Sequence, residues 1–283
     1  MEHSDNTAGR RLLARRLFSI LAAWLLCVFV TLLAGLAVVR LTLCSPGFLE
    51  RQIRDCGYGA LAQQELQDDY RSYGAAGGFD GDTMLGLLDG RDIEADMMAA
   101  AAMLYEDEPR SPDYSHLEDE MYAALMDNVA ARNIRPNEEI ETGVRTLAQT
   151  CAASYAGRGV IPFLDSLHPV IAAVRRVTPW ALAGLAAGAA VCLWLLAALH
   201  RNRRASLAYI TQGLTGAALL LCAAAPVLHW LVPIQTLNLQ PASLKALLAG
   251  YVTALFDAVW PFAAVVAVMA ALCGGLYALS GRK

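Results

Sequence analysis

At 283 residues, with 57% apolar side chains, 17% charged residues and a mean hydropathy of +0.41, the chain is too apolar for an ordinary soluble protein. The net charge of −4 conceals a split, because residues 45–176 hold 23 carboxylates against 11 arginines, a net −12, while the remainder is net +8. No block of the chain offers the concentrated basic face that nucleic acid would require.

Residues 1–16 form a basic N-terminus carrying Arg10, Arg11, Arg15 and Arg16. The run that follows, Leu17–Val39, has no charge. A helix needs roughly 20 apolar residues to cross the hydrocarbon core, and inside lipid its backbone groups must pair within the segment. Residues 17–43 are therefore read as a first span. Its apolar core is longer than the ~7–15 residues of a cleavable leader, so it is expected to stay as a signal anchor.

Residues 44–176 are expected to form an acidic, almost wholly helical domain. Phe48, Leu49, Ile53, Cys56, Ala60, Leu66, Tyr70 and Tyr73 recur at helical spacing until the glycine cluster Gly74–Gly81 breaks the run. Short helices are predicted over Asp82–Leu88 and Asp92–Tyr105, the second stopping before Pro109 and Pro112. Ser115-His116-Leu117-Glu118 fits a capping box ahead of the stripe Leu117, Met121, Leu125 and Val129. The next helix is expected to open at Pro136, with Glu138, Glu139 and Glu141 near its positive end. Its stripe of Ile140, Val144, Leu147, Cys151 and Tyr155 is the cleanest in the chain. Gly157–Gly159 should end it, and Pro162–Val177 leads into the second span.

Three further spans are expected over residues 177–199, 205–231 and 258–280, separated by a short loop at 200–204 and an outer segment at 232–257. Within that segment Lys245–Phe256 reads as an amphipathic extension of span 4, with Pro261 a candidate kink. Trp180, Trp230 and Trp260 sit at the outer ends of spans 2, 3 and 4, where indoles favour the headgroup boundary. Gly184 and Gly188 make a small-xxx-small pair, and Gly213, Gly216, Gly274 and Gly275 offer similar contacts. Arg201, Arg203 and Arg204 with Arg282 and Lys283 join the N-terminal arginines on one side. The positive-inside rule then places both termini, and residues 281–283, in the cytoplasm and the acidic domain outside a plasma membrane of bacterial type. The fold class is an all-α membrane protein with four spans and a bundle of four to six helices between spans 1 and 2.

Candidate chemistry is sparse. His116, His168 and His229 all fall on the side of the acidic domain, and imidazoles meeting there would suit acyl transfer at the outer leaflet. Alternatively, they are a solvated helix start, a connector residue and an interfacial anchor. Asp80, Asp82, Asp89 and Asp92 are close in sequence and offer oxygen ligands for a hard cation, but Asp80-x-Asp82-x-Met84 lacks the third ligand of an EF-hand loop. Solvated helix starts are the plainer reading. Cys27, Cys192, Cys222 and Cys273 fall in spans. Of Cys44, Cys56 and Cys151, the last two lie on apolar faces, and a Cys56–Cys151 bridge or two buried thiols are both open. No P-loop, dinucleotide glycine pattern, HExxH, paired CxxC or GxSxG occurs, so no cofactor is called for. No Asp, Glu, Lys or Arg sits mid-span, which argues against a pump or coupled transporter.

Two resemblances concern topology alone. One span, a domain, then three spans resembles the permease half of exporter-like and division-associated ABC systems, although His200–Arg204 is too short for their coupling helix. Histidines outside four spans resemble the lipoprotein intramolecular transacylases, whose histidine- and phenylalanine-rich loop is not matched by Leu228-His229-Trp230-Leu231. The sequence thus predicts a non-enzymatic sensor, scaffold or accessory subunit, embedded in lipid and facing another membrane protein or an external ligand. Its rivals are an outer-leaflet acyl-transfer enzyme and an ABC-exporter-like component.

Overall fold

The computed structural model describes residues 2–106, 113–160, 164–200, 202–231 and 240–280, and every regular element among them is a helix. In chain order these are α1 (Glu2–Thr42), α2 (Pro46–Asp55), α3 (Tyr58–Gly77), α4 (Gly81–Gly86), α5 (Ile93–Met103), α6 (Ser115–Ala131), α7 (Glu138–Gly159), α8 (Leu164–Leu199), α9 (Arg203–Leu231), α10 (Ala242–Asp257) and α11 (Val259–Leu279). Four stretches are long and apolar enough to cross a bilayer: Leu13–Thr42, Leu167–Leu199, Arg203–Leu231 and Ala242–Leu279. Apart from Ile134 and Leu248, every exposed large apolar side chain among the described residues lies on α1, α8, α9 or α11. A water-facing surface would not hold so many, whereas lipid accepts them without cost. The protein is an all-helical, multi-spanning membrane protein, with α2–α7 forming a bundle between its first and second spans.

The chain divides into two compact units, Met1–Cys44 with Ala173–Pro233 and Val252–Lys283, and Ser45–Ala172 with Ile234–Tyr251. In the first, helices pack through small residues, as they must where lipid is as apolar as leucine. A Cβ on Gly213 would stand 2.8 Å from the Ala23 carbonyl oxygen, and one on Gly188 would stand 2.9 Å from the Phe29 ring. Gly216 faces Cys27 and Gly274 faces Thr211, whereas Gly184 and Gly275 have open space around them. Only half of the small-xxx-small pair in span 2 is therefore a packing point. Cys27, Ala34, Leu214, Ala217, Leu221, Ala263 and Val266 fill the seam of α1, α9 and α11. Helix α8 continues unbroken through Pro179, and the chain breaks at Ala258, between α10 and α11, rather than at Pro261. Pro261 falls in the first turn of α11, where its missing N–H costs nothing.

The second unit is organised around α7. The stripe on this helix puts Val144, Cys151 and Tyr155 in the core, with Ile140 and Leu147 at its edge. Opposite lie Leu66 and Tyr70 of α3, Ile93 and Met97 of α5, and Leu117, Met121 and Leu125 of α6. Burying each such side chain stabilises the fold by roughly 1.5–3 kcal/mol before chain entropy is counted. Buried tyrosines need partners for their hydroxyls, and three meet that need across helices. Tyr58 donates to the Arg158 carbonyl, Tyr70 to the Cys151 carbonyl at 2.8 Å, and Tyr155 to Asp96 at 2.7 Å.

Several local boundaries depart from the sequence pattern. The run Phe48–Tyr73 is two helices, split at Gly57, whose φ of 65° is a left-handed conformation open to glycine. At the far end α3 runs on through Gly77 and is capped by Gly78 at φ 77°. The Ser115 capping box does not form. Ser115 is already helical, and the Asp113 carboxylate accepts from its amide at 2.9 Å. Glu118 is turned instead toward Gln149 and Arg145. Helix α7 starts two residues after Pro136, where Asn137 accepts from the Ile140 amide at 2.8 Å. The expected stop before Pro109 and Pro112, and the start of the connector at Pro162, lie outside the described residues.

Candidate functional site

The densest polar cluster among the described residues joins α3, α7 and the start of α10. Arg158 leaves the last turn of α7 and Glu65 and Asp69 stand one turn apart on α3. The Arg158 guanidinium reaches Glu65 at 3.3 Å and Asp69 at 2.7 Å. It also donates to the Ser154 carbonyl and hydroxyl, and that hydroxyl donates to Asp69 at 3.1 Å. Glu65 uses its remaining acceptor capacity on α10. The Ser243 amide donates to it at 3.0 Å and the Ser243 hydroxyl at 2.7 Å. A helix opens with amides lacking internal partners, so a carboxylate borrowed from α3 acts as the cap of α10. The Arg158 and Glu65 side chains are 14% and 20% exposed, a depth at which an unpaired charge would be costly.

The same joint has an apolar side. Leu247 enters the bundle core, Phe48 meets Tyr251 edge-on with ring centroids 5.4 Å apart, and Gly250 rests on Cys56. The outer segment of the sequence reading is thus built into the bundle through α10 up to Tyr251, rather than only lengthening span 4. Beside the cluster lies an open cavity of 630 Å³ lined by Glu65, Asp69, Ser154, Arg158 and Pro241. The serines of the cluster, Ser154 and Ser243, both donate to carboxylates. Chemically this is a fastening.

Each sequence candidate has its own local surroundings. His116 is exposed in the first turn of α6. His168 places Nε2 2.9 Å from the Glu106 carbonyl, and since a carbonyl only accepts, that nitrogen carries the proton. His229 belongs to the other unit. Its Nδ1 lies 3.2 Å from the Ala225 carbonyl, and its ring meets Phe256 edge-on at 5.1 Å. Two of the three imidazoles are thus engaged with main-chain carbonyls.

Of the aspartates, Asp80 caps α4 through the Thr83 amide at 2.8 Å and pairs with Arg132 at 2.7 Å. The Thr83 amide first, and Arg132 with it, hold the Asp80 carboxyl below the usual carboxylate range. Asp92 caps α5 through Glu94 and Ala95, and Asp82 and Asp89 are exposed. Among the described residues no three His, Cys, Asp or Glu side chains come together to hold a metal ion. Cys56 and Cys151 are both free thiols, the first donating to the Ile53 carbonyl, the second buried with its pKa pushed up to about 12 by desolvation.

The sequence reading missed Glu65, Asp69, Arg158 and Ser243. One signal was available: Glu65 and Asp69 flank Leu66 and Tyr70 on an apolar face, and carboxylates at such an edge need a partner. No family model, curated protein or solved structure matches the chain.

Proposed function

We propose that the protein is a non-enzymatic scaffold or sensing subunit of a cell membrane. Its bundle presents a fixed surface to a membrane partner or an external ligand. The supporting observation is that Glu65 ties α10 to α3. The chain emerges between spans 1 and 2 and again between spans 3 and 4, and residues of both excursions belong to one body. A surface assembled this way reports on, or holds, both pairs of spans together. The best-organised polar groups of that body are spent on holding it closed, which suits a scaffold better than an acyl-transfer enzyme. By the excess of arginine flanking the spans, the bundle lies outside the cytoplasm and both termini lie inside.

The test combines topology with capture. In intact cells, external protease should cut between residues 45 and 172, and photo-crosslinkers at exposed bundle positions should give discrete adducts that weaken in Glu65→Ala. Protection of that region from external protease overturns the sidedness. An acyl-transfer turnover by the purified chain that vanishes in His168→Ala overturns the non-enzymatic assignment.

A further inference from the structure

Helix α9 opens on two cations, Arg203 and Arg204. Arg203 borders two cavities at this end of the membrane unit. One, of 700 Å³, is lined by Asn202, Arg203, Arg204 and Ser280. The other, of 460 Å³, is lined by Ala197, His200, Arg203, Ser206 and Leu207. Both arginines are exposed, and among the described residues neither makes an ion pair. From Val177 to Lys283 the sequence holds a single acidic side chain, Asp257. The Arg204 guanidinium lies over the Tyr277 ring at 5.2 Å, which holds it in place without discharging it. His200 lies near Tyr209 at 5.2 Å, and its Nδ1 is buried with no hydrogen-bond partner among the described residues.

More positive charge gathers at the same end. Gly213 faces Ala23 and Gly216 faces Cys27, so α1 and α9 run in the same direction in near register. Arg15 and Arg16, exposed on α1, therefore stand level with the start of α9. The α9 amides are not the attraction, since Asn202 already accepts from the Arg204 amide at 3.1 Å.

We propose that this end binds the phosphate of an anionic phospholipid headgroup, with Arg203 as its chief ligand and Arg204 and His200 beside it. A guanidinium fork matches the paired oxygens of a phosphodiester, and basic pockets between spans are where such headgroups lodge. The walls favour a lipid over a free anion. Ala197 and Leu207 line the smaller cavity and belong to helices whose outer faces are apolar, so an acyl chain attached to the phosphate has a surface to follow.

The full chain is reconstituted in nanodiscs of phosphatidylcholine with a minor share of phosphatidylglycerol, and lipids retained after detergent extraction are counted by native mass spectrometry. The wild type should retain phosphatidylglycerol well above its share. Arg203→Gln and Arg204→Gln should each lower that preference about fivefold, while Arg203→Lys keeps most of it and Arg71→Gln, on the bundle, leaves it unchanged. Reading the loss at either arginine keeps the test decisive if one variant misfolds. Retention at the bulk ratio in the wild type, or undiminished preference in both Gln variants, overturns the site. Displacement of the lipid by inorganic phosphate, but not by chloride at equal ionic strength, reassigns it to a soluble anion and overturns the lipid identity.

Discussion

Arg158 does the work of several residues, because one guanidinium pairs with both Glu65 and Asp69 and ties them to the end of α7. Removing one member of such a group leaves charge in a site with little water, which is worse than never having had the pair. Arg158→Met is expected to destabilise the bundle by about 3 kcal/mol, read from urea denaturation of the full chain in detergent. Arg71→Ala, which loses only an exposed 3.4 Å pair with Asp68, should change stability by less than about 1 kcal/mol. The identity of the cluster was hidden from sequence by distance. Glu65 and Ser243 are 178 positions apart, and no periodicity connects them. Local chemistry was legible by contrast. Asp80 and Asp92 stand where cap residues should, and their value as metal ligands fades because each already serves an amide.

At the level of single helices, hydrophobic period was a reliable guide and boundary chemistry only a partial one. The α7 stripe was readable because one face must be apolar for its whole length to meet α3, α5 and α6. The split at Gly57 was not, since a glycine inside a helical pattern signals a break only when its backbone is seen to turn left-handed. The membrane glycines show the same limit. All of them read as contact points, but their surroundings differ. Gly213→Leu would drive a side chain into the Ala23 carbonyl and should loosen the α1–α9 seam by about 1–3 kcal/mol. Gly184→Leu meets empty space on the protein side and should leave the thermal midpoint of the detergent-solubilised chain unchanged. Equal effects at both positions would show that span 2 packs on something outside this chain.

On the scale of the molecule, burial sets an alkaline limit on the bundle. Desolvation pushes the Tyr58 and Tyr114 hydroxyls up to about 12 from 10.0, and the Cys151 thiol up to about 12 from 9.0. Each group holds its proton more tightly folded than unfolded, so this contribution is complete below pH 9 and is lost as pH rises toward 12. Helical circular dichroism of the full chain should hold to about pH 9 and fall steeply between about 10 and 12. Tyr114→Phe, which has no hydroxyl to ionise, should move the fall to higher pH. The four-span layout was legible because lipid enforces it over some twenty residues at a time. That two loops make one body was not, because that depends on Leu247 and Ser243 finding a surface made almost two hundred residues earlier.

The position of Ser243 in the chain also sets an order of events during synthesis. The ribosome has already released the stretch containing Glu65 and three hydrophobic rods before the residue that closes the joint exists. Until then, the first excursion waits with a carboxylate and a greasy notch open to its surroundings. A nascent chain stalled before residue 240 should therefore be far more sensitive to proteases than one stalled after the last rod.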